Sequence, residues 1–145
     1  MNRGRWLMIL VLADVVTAFS TIGSELFFSW TLPAELQDFT LTRNLAIFSG
    51  SGLILTPLWS LTIISTVVAW IGLLNLWWFA RRLYLGAWIA WFVLLLLSGP
   101  SVMTPLGSMF STVEAVVGGA VLGLVYFSDL SRHFERQAVP ATATA

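Results

Sequence analysis

Four long apolar runs, at about 6 to 28, 58 to 80, 83 to 99 and 106 to 128, constrain this chain more than anything else; their only formally charged side chains are Asp14, Glu25 and Glu114. Inside hydrocarbon, every backbone N–H and C=O must find a partner within the protein, and a helix of roughly 20 residues does this while crossing the bilayer. The runs predict an all-α, polytopic membrane protein, a bundle of four transmembrane helices forming one domain over residues 1–137. The third run is short, and Arg82 at its edge would extend its reach by snorkelling to the interface. Composition agrees, with 58% hydrophobic and 10% charged residues against about 25% charged in soluble domains.

Between the first two runs, residues 29–57 form an outer loop that carries Pro33, Glu35, Asp38 and Arg43 and then NLAIFSGSGLILTP. That last piece is apolar but broken by Ser49, Gly50, Ser51 and Gly52, and it reads as an interfacial or re-entrant segment. The start, MNRGRWLMILVLADVVTAFS, has the basic beginning and apolar run of a signal peptide. Asp14 inside that run argues against cleavage, so a retained signal anchor is expected. The end of the chain, AVPATATA at 138–145, is expected to be disordered.

Arginine sets the orientation, because basic residues near helix ends stay on the cytoplasmic side. With both termini inside, Arg3, Arg5, Arg81, Arg82, Arg132 and Arg136 are cytoplasmic and only Arg43 is outside. Trp6, Trp77, Trp78, Tyr84 and Tyr126 would then form an inner interfacial belt, with Phe28, Trp30 and Trp59 marking the outer one. Seven arginines with no lysine suggest a GC-rich bacterial genome, and hence the bacterial cytoplasmic (inner) membrane.

Much chemistry is excluded. With no cysteine there are no disulfides, thiolate nucleophiles or iron–sulfur ligands. His133, the single histidine, lies in the tail, which removes histidine metal sites and bis-histidine haem from the membrane. The chain has no net charge and its arginines are scattered, so no nucleic-acid partner is expected. A serine hydrolase would lack its activating base, and FSGSG lacks the lysine and the strand-to-helix setting of a phosphate loop. The expectation is a non-enzymatic protein with no cofactor and no metal.

Polar residues inside the spans remain. Asp14, Thr17, Thr21 and Ser24 fall on one helical stripe, with Glu25 beside its outer end. A central Asp costs roughly 2.5 to 3.5 kcal/mol on insertion, while each Leu, Ile, Val or Phe returns roughly 0.3 to 0.6. Nine such residues lie between Leu7 and Ile22, so the helix still inserts, with Asp14 expected to face other helices. Counted from the cytoplasmic edge at 1.5 Å per residue, Asn75 lies about 7 Å deep, Asp14 about 12 Å and Glu114 about 20 Å, with Thr17 and Thr21 bracketing Glu114. No basic residue shares the membrane with these acids, so both are expected to rest as neutral, hydrogen-bonding carboxyls. Asp14, Thr17, Thr21, Glu114 and Asn75 are thus the candidate proton or cation site. Interhelical hydrogen bonding, worth about 0.6 kcal/mol per bond on average, is the competing structural role.

The fourth run also holds Ala115, Gly119 and Gly123, a small-xxx-small ladder that lets two backbones approach closely within the bundle or between subunits. The functional expectation is therefore a small multi-pass protein acting through helix contacts in the lipid bilayer, as a homo-oligomer or as an accessory subunit of a membrane-protein partner. The alternative is a small channel or proton- or cation-coupled carrier that uses the intramembrane carboxylates.

Overall fold

The computed structural model describes residues 3–46, 52–99 and 101–128. Arg132, Arg136, His133, the tail at 138–145 and the Ser49–Ser51 break lie outside the described residues. The elements are α1 (Arg3–Phe27), a 3₁₀ turn (Ser29–Thr31), α2 (Ala34–Ala46), α3 (Gly52–Leu74), α4 (Ala80–Leu97) and α5 (Pro105–Phe127). α1, α3, α4 and α5 are long and apolar enough to cross a membrane. The chain is an all-helical integral membrane protein with four membrane-spanning helices packed as a bundle.

The 25 residues of α1 give a helix about 37 Å long, and the 18 of α4 one of about 27 Å. α2 belongs to the connection that the sequence reads as a loop, where its charged side chains keep it out of the apolar bundle. The second span differs from its sequence expectation at both ends. It takes in the apolar LILTP piece, running over Ile54–Leu74 rather than to residue 80. It stops there because Leu76 adopts a left-handed conformation (φ 55°), the Trp77 N–H donates to the Gly72 carbonyl at 2.8 Å, and the Leu76 N–H to the Leu73 carbonyl at 3.2 Å. This pair of bonds is the Schellman closure, which caps the last carbonyls and turns the chain back. Asn75 consequently lies beyond α3, exposed, with its side-chain amide on the Ile71 carbonyl at 2.7 Å.

α5 begins on a local signal. Thr104 accepts the Gly107 N–H at 3.0 Å as N-cap, and Pro105 occupies the first turn where no N–H is needed. Glu25, at the end of α1, completes this cap by accepting from the Thr104 N–H at 2.9 Å and its hydroxyl at 3.1 Å. A carboxylate at a helix N-terminus is favourably placed in the helix dipole. Gly107 is required here, since a Cβ would lie 1.9 Å from a Glu25 carboxylate oxygen.

The bundle is built as two pairs, α1 along α5 and α3 along α4, which touch each other less extensively. The largest buried apolar cluster lies at the end where α1 begins and α5 finishes. There Leu7 and Val11 of α1, Ala69 and Leu73 of α3, Ala80 and Tyr84 of α4, and Val121 and Val125 of α5 form one buried cluster. At the same end the Arg81 guanidinium lies over the Tyr126 ring and that of Arg82 over Trp78. The outward faces carry exposed large apolar side chains such as Val16, Phe19, Leu96 and Phe127, as a lipid-facing surface requires.

Gly118 makes a second close approach on α5. The Trp88 indole of α4 rests on its backbone, and a Cβ there would sit 2.1 Å from a ring carbon. Overpacking of that kind costs about 1–3 kcal/mol. Gly118→Ala is expected to lower the thermal midpoint in detergent and to shift tryptophan emission. Gly23→Ala, which meets open space, should do neither. Equal midpoints for the two variants would contradict this packing.

Candidate functional site

Asp14 is only 2% exposed, and it stands where the buried cluster ends. Its Oδ2 accepts two hydrogen bonds, from the Tyr84 hydroxyl at 2.6 Å and from the Trp70 indole N–H at 2.8 Å. One carboxylate oxygen of α1 is thereby tied to both α3 and α4. The other oxygen, Oδ1, is buried and has no hydrogen-bond partner among the described residues.

Beyond Asp14 the helix pairs part around a cavity of about 290 Å³. Asp14, Thr21 and Ile22 of α1, Thr66 and Trp70 of α3, Trp88 and Trp91 of α4 and Glu114 of α5 are among its lining. Both intramembrane acids therefore share one compartment. Glu114 accepts a hydrogen bond from the Thr21 hydroxyl at 3.2 Å, the residue that the sequence places at its level. Thr66 donates its hydroxyl to the Thr62 carbonyl at 2.9 Å, which leaves its oxygen able only to accept. Phe19 and Ile22 of α1 and Ile63 and Val67 of α3 line the cavity while remaining exposed, so its mouth lies between those helices on the lipid side.

Other sequence candidates fall elsewhere. Thr17 spends its hydroxyl on the Ala13 and Asp14 carbonyls of its own helix and does not line the cavity. Asn75 lies in the turn after α3, away from the acids. Ala115 and Gly119 are exposed, and a Cβ on Gly119 or Gly123 would meet nothing within 4 Å. The small-residue ladder therefore does not pack inside this bundle, where Gly118 and Gly107 make the close approaches instead.

Sequence reasoning missed Tyr84, Trp70 and Trp88. Tyr84 reads as an interfacial anchor beside Arg81 and Arg82, yet it is 1% exposed and holds Asp14. Its ring continues along α4 to Trp88, edge-on at 6.4 Å, and then to Phe92 at 5.8 Å from Trp88. The four-residue spacing of Tyr84, Trp88 and Phe92 on one helical face was the available signal, joined at the other rim by Trp91 edge-on to Trp59 at 4.8 Å.

Compared with known proteins, the chain matches no family model, no curated protein and no solved structure. Its function must be argued from the site.

The Tyr84 bond is short and fully inside the protein. Tyr84→Phe should lower unfolding stability by about 1–2 kcal/mol, at the upper end for hydrogen bonds within membranes. Denaturant titration in mixed micelles would measure it, and an unchanged midpoint would mean that the hydroxyl contributes nothing to holding Asp14.

Proposed function

We propose that this protein is a small, non-enzymatic carrier that takes a cation into an intramembrane cavity and exchanges it against protons on Asp14, with Glu114 as the second acid. The observation that carries this reading is the asymmetry of Asp14: one oxygen is fixed by Tyr84 and Trp70, while the other is buried without a partner among the described residues. A carboxyl serving only as interhelical glue would be satisfied by its neighbours, because an orphaned buried polar atom costs about 1–3 kcal/mol. Intramembrane ionisable residues facing a cavity mark ion and substrate sites. A proton and a cation compete for the same carboxylate, so binding one releases the other.

Carrier is favoured over channel because the apolar cluster around Val11, Leu73, Tyr84 and Val121 closes the terminal half of the bundle beneath Asp14. The arginine bias supports cytoplasmic termini, and the lysine-free composition supports a bacterial inner membrane.

Concentration jumps of potassium, sodium or alkylammonium salts on proteoliposomes adsorbed to a solid-supported membrane should give transient currents. Asp14→Asn should abolish them and Glu114→Gln should shrink them, both with the fold retained. Full-sized currents from Asp14→Asn would overturn the carrier reading.

A second reading, assembly through helix contacts with a second copy or a membrane-protein partner, is favoured by one observation: the unoccupied space over Gly119 and Gly123. If those glycines seat another helix, Gly119→Leu and Gly123→Leu should lower the native mass of the protein in nanodiscs. They should leave the fold of the single chain intact. Unchanged mass in both variants rules the seam out.

A further inference from the structure

Resting on the carrier reading, the geometry points to a ligand class: a small protonated amine with an apolar or aromatic body, entering sideways from the bilayer between α1 and α3. Three observations converge on it. First, the carboxyl and hydroxyl oxygens of the lining can accept hydrogen bonds. They include the Asp14 and Glu114 carboxyls and the Thr66 oxygen, whose own hydrogen is spent on the Thr62 carbonyl. Asp14 Oδ1 has no partner among the described residues, and an N–H donor that reaches it satisfies its ionised form.

Second, two carboxyl groups line the cavity with no basic side chain among its lining residues, so a cation meets no like charge there and can take the place of a carboxyl proton while the site stays neutral. A hard metal ion is a poor fit. Calcium takes about six to eight oxygen ligands and magnesium a near-ideal octahedron, whereas most of this lining is apolar. The indoles of Trp70, Trp88 and Trp91 offer flat apolar and π surface for an organic body and, near a cation, an electrostatic attraction to the ring face.

Third, size and route agree. At about 290 Å³ the cavity lies at the small end of small-molecule sites, which run from roughly 300 to 1,000 Å³. Its mouth is edged by the exposed side chains of Phe19, Ile22, Ile63 and Val67, so it opens to hydrocarbon, the medium into which an amine with an apolar body partitions.

The requirement for an N–H separates this class from quaternary ammonium compounds, which carry the same charge and offer no donor. The test is displacement of tritiated phenethylammonium from the full chain in phosphatidylcholine nanodiscs, with protein-free nanodiscs as the partition control. Unlabelled phenethylammonium should displace the label about ten- to a hundredfold more effectively than its trimethylammonium analogue or phenethyl alcohol, the ratio that a charge-assisted hydrogen bond supplies. Asp14→Asn should lose binding by a similar factor.

Ala18→Phe, which fills the cavity and leaves Asp14 in place, should also lose binding while keeping its thermal midpoint. Gly86→Ala, in open space on α4, should bind as the parent does. Equal displacement by the trimethyl analogue, equal displacement by the alcohol, or no protein-dependent binding would each overturn the assignment. Amine binding in the expected order without transient currents would keep the site and remove the carrier. Currents driven by potassium, with no amine binding, would do the reverse.

Discussion

The Asp14 carboxylate is a buried polar tie between the two halves of the molecule. α1 with α5 and α3 with α4 make two helix pairs, and in lipid no hydrophobic force presses them together, because the surrounding chains are as apolar as the side chains. Steric fit and hydrogen bonds must do it. At the terminal end the fit is close, around Leu7, Leu73 and Val121. Immediately above, one oxygen of Asp14 accepts from Trp70 of α3 and Tyr84 of α4. Toward the other end the pairs separate, and the opening becomes the cavity. The residue that joins the halves therefore also forms the polar end of the space between them.

This double duty explains why a structural and a functional reading of Asp14 are hard to separate from sequence alone. Each assigns the carboxylate a hydrogen-bonding role. Only the division of labour between its two oxygens distinguishes them, and that division depends on χ angles and on partners 56 and 70 residues away. From sequence, assembly through helix contacts ranks ahead of ion coupling. The cavity and the orphaned oxygen are the observations on which the proposed carrier role rests.

The architecture was far more legible than the site. Apolar runs reveal four spans because the bilayer imposes a length and forbids unpaired backbone. The stripe of Asp14, Thr21 and Ser24 announced which face of α1 turns inward, and Asp14 and Ser24 are both buried. Where reading failed, a local event overrode a bulk property. Hydropathy runs straight through Leu76 to residue 80, but a left-handed residue and its Schellman closure end α3 at Leu74 and leave Asn75 outside. Tyr84 sits in sequence beside two arginines, which is the signature of an interfacial anchor, and only helical phase turns it inward. The ladder of Ala115, Gly119 and Gly123 differs from Gly118 by a rotation of one residue, about 100° around the helix, and that rotation decides which glycine meets Trp88.

The unequal helix lengths carry a further consequence for the membrane itself. A hydrocarbon layer matched to the full length of α1 would overhang α4 by about 10 Å, taking the two helices at 25 and 18 residues. The lipid must thin beside α4, or α1 must tilt, and each response has an elastic cost. Bilayer thickness thereby acts on the angle between the two helix pairs, and so on the width of the gap between them. The host membrane is in this sense a mechanical component of the protein, one whose chain length helps set how wide the space above Asp14 stands.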